Sequence, residues 1–335
     1  MGRYVVRRLL VALLTLFLAL FVIHYATSLS IQAGGDPARA FFSADRTPTE
    51  SQLDAVRTKY GLDNPCLRQL GNPCVDMYVE RVANYSTGDF GENYNQQPVL
   101  DDLAQAVPNT LRLFAFMFAT WLIFGLTFGM IAAWRRGRPT DYGIRFSTIL
   151  LGAIPPFLLI ITYKFVLAAP LRSYFGDAYG RDSMLALMFK PSFDPDNPWL
   201  SVAIPGILVG LVGVDAFTRL TRASVLENLR ADYVRTAKAK GLRTGRMMIV
   251  HVLRNSMIPI STMIGVYLAA ALAGAVFTEG IMNIRGLGLL IFEASREKDI
   301  PVIMATVAIA AIGVLVVNLI VDLMYAVFDP RIRYE

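Results

Sequence analysis

The sequence predicts an all-α integral membrane protein, with about six transmembrane helices and a small extracytoplasmic domain after the first. Apolar residues are 55% of the 335 and gather into long runs almost free of charge. Charged residues are only 17%, whereas a soluble domain carries roughly a quarter. Lysine and arginine crowd into the short segments between alternate runs, a mark of membrane topology that leaves no need for a nucleic-acid partner.

An α-helix rises 1.5 Å per residue, so crossing a hydrocarbon core of about 30 Å takes roughly 20 residues. Six windows meet that length: 9–29, 113–134, 146–168, 200–218, 257–278 and 301–327. Lipid offers the backbone no hydrogen-bond partner, so each window must satisfy its own amides as a helix. The first follows Arg3, Arg7 and Arg8 and carries the small-residue triplet Ala26-Thr27-Ser28, both features of a secretory leader. Its apolar stretch continues to Leu29, long enough to span, so a retained helix is expected. Lys164 stands near the outer end of the third window, where a long side chain can snorkel. Several windows contain proline or glycine: Pro155 and Pro156, then Pro205, Gly206, Gly210 and Gly213, then Gly265 and Gly274. These are either close-packing points with local kinks or bends that line a solute path.

Asp215 lies near the inner end of the fourth window, with Arg219 four residues on and therefore on the same face. The two read as an intramembrane charge pair at the interface. The functional alternative for Asp215 is a gate or proton site, because intramembrane acids often mark pathways.

Alternating the sides puts residues 1–8, 135–145, 219–256 and 329–335 on one face. Those 64 residues hold 18 lysines and arginines, whereas the opposite face, residues 30–112, 164–200 and 279–301, holds 14 in 143 residues. The denser face is expected to be cytoplasmic, with both termini, 1–8 and 329–335, inside the cell. The helical core then runs from 108 to 328.

Residues 30–107 are expected outside, as a small domain rather than a linker. Ser51 to Tyr60 reads as a helix behind Pro48-Thr49, and turn residues cluster at Gly61-Leu62-Asp63-Asn64-Pro65 and Gly88-Asp89-Phe90-Gly91. Cys66 and Cys74 each follow an Asn-Pro dipeptide. An oxidising exterior favours a disulfide, and so short a loop closes at little cost. The bridge would contribute about 2–3 kcal/mol. The alternative is two free thiols.

The most informative segment is the inner loop 219–256. Val225, Leu229 and Tyr233 recur at helical spacing, as do Met248, Val252 and Ser256. Gly241 separates the two stretches and can take positive φ at a helix C-terminus, with Thr244 as a cap for the second. The pattern is helix, tight turn, helix. Physics alone allows two readings: a basic amphipathic pair lying on anionic lipid, or a rigid lever that passes force to a cytoplasmic partner.

Arg235-Thr236-Ala237-Lys238-Ala239-Lys240-Gly241 resembles the "EAA" loop of ABC importer permeases, which reads Glu-Ala-Ala, three residues, Gly. Asp232-Tyr233-Val234-Arg235-Thr236-Ala237, Ala239-Lys240-Gly241-Leu242 and the run His251 to Pro259 are similar to the dipeptide, oligopeptide and nickel branch. The start, Arg3-Tyr4 to Leu10, resembles that family's first helix, and Gly88 to Gly91 with Pro98-Val99 its external segment. Asp329-Pro330-Arg331-Ile332-Arg333-Tyr334 resembles the closing signature of its B-type subunit. Arg235 stands where the general loop has Glu, His251-Val252-Leu253-Arg254 replaces the general Ile-x-Leu-Pro ending, and Cys66 to Cys74 looks like an insertion.

The resemblance implies a type I importer subunit that takes up di- or oligopeptides, or alternatively nickel or another small solute. Its partners would be a C-type permease subunit, ABC ATPase subunits and an extracytoplasmic peptide-binding protein, all at the lipid bilayer. Asp232, Tyr233, Arg235, Thr236, Ala237, Ala239, Lys240, Gly241 and Leu242 would form the ATPase-coupling site. ATP and Mg would be bound by the partner ATPases, and none of the chain's own residues is expected to hold a cofactor or metal. Consistent with that, no Gly-x-x-x-x-Gly-Lys-[Ser/Thr] run occurs, and no Gly-x-Ser-x-Gly or His-Glu-x-x-His motif points to an enzyme. His24 and His251 fall on opposite sides and cannot share a site. The competing class, an ion-coupled secondary transporter or channel, would want ionisable pairs at mid-membrane. Asp215, Lys164 and Asp322 all lie near span ends.

Overall fold

The computed structural model describes residues 2–34, 38, 42, 48–59 and 62–328. The ends of two expected features, Tyr60 with Gly61 and the terminal segment 329–335, lie outside the described residues, as does the side chain of Asp322. In chain order the helices are α1 (Gly2–Gly34), α2 (Glu50–Lys59), α3 (Val75–Ser86), α4 (Val99–Thr120), α5 (Leu126–Trp134), α6 (Pro139–Ala153), α7 (Pro156–Thr162) and α8 (Ala169–Tyr179). There follow α9 (Met184–Met188), α10 (Pro198–Asn228), α11 (Asp232–Ala239), α12 (Thr244–Arg246), α13 (Arg254–Met282), α14 (Leu287–Glu297) and α15 (Ile300–Phe328). Wide π turns at Trp121–Gly125, Tyr163–Ala168 and Met247–Leu253 join α4 to α5, α7 to α8 and α12 to α13.

Six stretches of the described residues are long and apolar enough to cross a membrane: Val6–Ala33, Val99–Trp134, Pro156–Tyr179, Pro198–Asn228, Thr244–Tyr267 and Ile300–Val321. Two places differ from the sequence reading. The window 146–168 is interrupted, because Ile154 and Pro155 are extended between α6 and α7. Two successive prolines remove two backbone donors, and each biases the residue before it away from helix. The segment 279–301, expected as an outer connection, holds the end of α13 and all of α14. Ala275–Met282 and Leu287–Glu297 meet at 83° and together form a broken span or re-entrant pair. The apolar run in α14 is too short to register alone as a span.

The chain divides into two compact units. The first comprises Gly2–Ala106 and Leu290–Leu315. Its core is Leu20 of α1, Tyr78 of α3 and Ala308 of α15, all buried. Tyr78 stands edge-on to Phe17 and Phe21, and its hydroxyl donates to the Phe17 carbonyl. Thr49 starts α2 with its N–H bonded to Gln52 Oε1 at 3.0 Å, half of a capping box. Cys66 and Cys74 are bonded to each other, with Cα atoms 5.4 Å apart. Both Asn-Pro-Cys tripeptides are Asx turns: Asn64 Oδ1 accepts the Cys66 N–H at 3.1 Å and Asn72 Oδ1 the Cys74 N–H at 3.0 Å. Gln32 of α1 stitches the cross-linked loop in place, donating to the Asn72 carbonyl at 2.8 Å and accepting the Gly71 N–H at 2.8 Å.

The second unit comprises Val107–Leu289 and the last helix from Val316. Its centre is α10, which packs against α5, α6, α7 and α13. The approach is close because glycine faces bulk along the whole contact, and the glycine changes sides midway. A Cβ on Gly206 would lie 2.7 Å from Phe116 Cβ, one on Gly210 2.7 Å from Thr120 Cβ, and one on Gly213 2.3 Å from Trp121 Nε1. Further along, a Cβ on Gly125 would lie 2.5 Å from Phe217 Cβ and one on Gly129 2.4 Å from Thr221 Cβ. Trp121 then stacks on Phe217 and Tyr267 stands edge-on to both, with ring centroids 5.3–5.8 Å apart, which joins the π turn after α4 to α10 and α13. Of the two sequence readings of these glycines, the structure supports close packing. The Lys164 ammonium donates to the Ile281 carbonyl, one of those left open at the end of α13.

Replacing Gly129 with Val is expected to push α5 from α10 and cost about 1–3 kcal/mol. Unfolding midpoints in detergent check this against Gly143→Val, where nothing lies within 4 Å of the added carbon.

Candidate coupling site

Where α10 ends, Asn228 fixes the geometry of everything that follows. Its amide donates to the Ser224 carbonyl at 2.9 Å and to Ser256 Oγ of α13 at 3.2 Å, while its Oδ1 accepts the Tyr233 hydroxyl at 2.6 Å. One side chain therefore ties α10, α11 and α13. The turn Leu229–Ala231 resets the helical phase, which is why Tyr233 falls outside the stripe begun by Val225 and Leu229 and lies 38% exposed.

α11 closes with a Schellman motif. The Leu242 N–H reaches the Ala237 carbonyl at 3.2 Å and the Gly241 N–H reaches the Lys238 carbonyl at 3.0 Å. Gly241 has φ +75°, a conformation that a side chain would strain. Thr244 is the first residue of α12 and not its cap; Arg243, extended, takes the capping place without a side-chain bond.

The short helix has two faces. Val234 and Ala237 are buried against Ala133, Val225, Met247, Met248 and Val252, with Leu242 packed beside them. Asp232, Tyr233, Arg235, Thr236, Lys238, Ala239, Lys240 and Gly241 are exposed. Asp232 and Arg235 pair at 3.3 Å, but both are so open that solvent screens the contact. The structure thus gathers the sequence-identified loop residues on one outward surface, except Ala237 and Leu242, which anchor it.

A second anchor was not apparent from the sequence. Arg222 of α10 makes a two-pronged bond to Asp141 at the start of α6, Nε to Oδ1 and Nη2 to Oδ2, both 2.8 Å. The Gly137 N–H adds a third bond at 2.9 Å, and Asp141 is fully buried. Arg222 beside it holds the Asp141 carboxyl below the usual carboxylate range. The signal was a lone acid among Arg135, Arg136, Arg138 and Arg145, but its partner is 81 residues away. A group with a depressed pKa adds stability above its unfolded value, about 3.9, and loses it as pH falls through the lower folded value. Asp141→Asn is expected to cost about 3 kcal/mol at pH 7. Below about pH 4 its unfolding midpoint should converge on the wild type's in a pH series, as the wild-type carboxylate takes up its proton.

Along α10 towards its start, Arg219 Nη2 lies 3.0 Å from Asp215 Oδ2, and Thr148 Oγ1 donates to Asp215 Oδ1 at 3.3 Å. Asp215 is buried beneath Gly152, whereas Arg219 is largely exposed.

The chain matches the family described as "Binding-protein-dependent transport system inner membrane component" over residues 125–334, and the companion N-terminal family, "Binding-prot-dependent transport system membrane comp, N-term", over residues 1–114. It belongs to this permease family. It is 33% identical to the oligopeptide transport system permease protein AppB of Bacillus subtilis over 341 residues, covering all of both chains. It is 30% identical to the dipeptide transport system permease protein DppB of Alkalihalophilus pseudofirmus, covering 99% of each. The same identity relates it to the glutathione transport system permease protein GsiC of Pectobacterium atrosepticum over the full length of both.

The permease carries a further constellation that sequence reasoning missed. Glu279, near the end of α13, is completely buried. Its carboxylate accepts the N–H groups of Gly288 at 2.7 Å and Leu289 at 3.1 Å, and the Thr110 hydroxyl at 2.7 Å. Thr110 Oγ1 in turn accepts the Leu287 N–H at 2.8 Å. Three of the four open donors at the start of α14 are thereby satisfied. Negative charge at that helix end is favoured by the dipole. Gly286 is required beneath it, since an added Cβ would lie 2.4 Å from the carboxylate.

Proposed function

We propose that this permease is the B-type subunit of a peptide importer. It takes up di- and oligopeptides delivered by an extracytoplasmic binding protein, pairs with a C-type permease subunit, and is powered by ABC ATPase subunits that bind ATP and Mg. The peptide substrate is supported by the names of full-length relatives, which include dipeptide, oligopeptide and glutathione permeases. The observation that carries the coupling role is the two-faced helix α11, packed inward through Val234 and Ala237 and open outward through its polar residues. A lever needs such a construction: a rigid seat on the spans and a free surface for the partner. Closure of the ATPases would move that surface, and the tethers through Asn228 and Arg222 would carry the displacement into α10, α13 and α6. Such a switch works only if the partner contacts differ between its two states.

In this reading the inner face holds both termini and the loop 219–256, and residues 30–107 lie outside with the receptor. The basic-residue distribution supports that orientation. The decisive experiment reconstitutes this subunit with its neighbouring permease, ATPases and receptor in vesicles and follows a labelled dipeptide. Uptake should require ATP, Mg and receptor together. Uptake that persists without the ATPases would sink the reading, as would a tag beside Lys238 labelled only from outside intact cells.

A further inference from the structure

Within the unit formed by Gly2–Ala106 and Leu290–Leu315 lies a cavity of about 650 Å³, and nothing in the transport mechanism above uses it. That volume falls within the range of small-molecule sites, roughly 300–1,000 Å³. Its lining is chemically divided. Arg81 of α3 stands at one part, the rings of Tyr85 and Phe90, 4.9 Å apart, form an apolar wall, and Asp63, Glu80 and Asp89 supply acid around the rest.

Arg81 is the unusual member. No carboxylate lies within ion-pair distance of it among the described residues; its bonded neighbour is His24, whose Nδ1 is 3.3 Å from Arg81 Nη1. A guanidinium can only donate, so Nδ1 must be the unprotonated nitrogen. The His24 Nε2–H then donates to the Cys74 carbonyl at 3.1 Å. The imidazole is therefore a neutral prop that aims the guanidinium and does not neutralise it. Burial pulls the Arg81 pKa down, the mark of a cation without its counter-charge. A planar fork of this kind matches a carboxylate in two-pronged fashion.

We infer that this cavity binds a short zwitterionic peptide, with Arg81 taking the terminal carboxylate, the Tyr85–Phe90 wall taking an apolar side chain and the acidic residues taking the ammonium. The inference rests on the peptide reading above and adds a permease-borne site to it. The match is in charge order as well as size: the Arg81 cation, an apolar wall and an acidic surround are what a free dipeptide presents in mirror form, while the lining's other cation, Lys59, pairs with Glu92 at 3.2 Å.

The test uses the intact transporter in nanodiscs without receptor. The probes are Ala-Phe and its C-terminal amide, titrated by saturation-transfer NMR. Wild type should bind the acid and bind the amide at least about tenfold more weakly. Arg81→Gln should bind acid and amide alike, both weakly, and Arg81→Lys should recover part of the preference. Asn84→Trp, which fills the cavity and leaves Arg81 in place, should abolish binding even if Arg81→Gln folds poorly. Equal binding of acid and amide to the wild type, or unchanged acid binding to the filled variant, would overturn the proposal. So would no binding of Ala-Phe at millimolar concentration. The vesicle assay separates the two readings: receptor-dependent dipeptide uptake without binding here removes the cavity site alone, whereas absent uptake of any peptide removes the substrate assignment.

Discussion

Ala237→Asp is expected to lower uptake severely while the protein still inserts and assembles in the membrane. Ala237 is 7% exposed and faces Val225, Met247, Met248 and Val252 beneath α11. Those neighbours are all apolar, so burying a carboxylate among them would cost about 3 kcal/mol or more. The small helix has little else to hold it. Its outward residues are solvated, its one ion pair is screened, and its remaining ties are the Tyr233–Asn228 bond and the Leu242 contact. The helix therefore lifts from its seat before the spans are affected. Vesicle uptake should fall at least about tenfold, a barrier change of 1.4 kcal/mol or more, while ATP hydrolysis by the assembled complex continues without stimulation by loaded receptor. Gly241→Pro should act alike, because φ near −65° cannot replace +75° and the Gly241 N–H bond to Lys238 is lost. Normal transport by both variants would show that this helix does not couple.

Glu279→Ala is expected to give the largest loss of stability from a single site. The carboxylate is the acceptor for two buried backbone N–H groups and one hydroxyl, and no water-exposed route replaces it. Each orphaned buried backbone N–H costs about 1–3 kcal/mol, so the two together cost roughly 2–6 kcal/mol before the Thr110 hydroxyl and the cavity are counted. Glu279→Gln keeps the volume and one oxygen for the Gly288 and Leu289 N–H groups, which share a single carboxylate oxygen, but turns its amide N–H groups towards the Thr110 hydroxyl, and should fall between. Midpoints of thermal unfolding in detergent should order wild type, Gln, Ala. Gly286→Ala should approach the alanine variant, because its methyl group would occupy the carboxylate's place. If Glu279→Ala unfolds within a degree or two of the wild type, the start of α14 is held by something else.

These two residues mark what the sequence could and could not tell. Ala237 and Gly241 were legible because the loop is local: a helix stop needs only its own last turn, and Gly at that place has one physical reason. The six long apolar runs were legible for a similar reason, since the bilayer imposes length on each span separately. The Asn-Pro-Cys pair was readable as two turns, and the structure gives each its Asx bond. Glu279 was not legible, because Thr110 is 169 residues away and the bend it caps looks in sequence like an ordinary connection. The Asp141–Arg222 clamp failed for the same reason. Pro155-Pro156 was recognised as a kink within a span, yet the chain breaks there, because two prolines in succession leave too few donors to carry a helix through.

The length of α10 has a mechanical consequence. Its 31 residues rise about 46 Å, against a hydrocarbon thickness of about 30 Å. Roughly its last ten residues therefore need no acyl chains beside them, and Thr218, Thr221, Ser224 and Val225 are clad in neighbouring protein instead. In the proposed mechanism the push therefore enters α10 at a stretch held by protein contacts, outside the length that the hydrocarbon thickness governs.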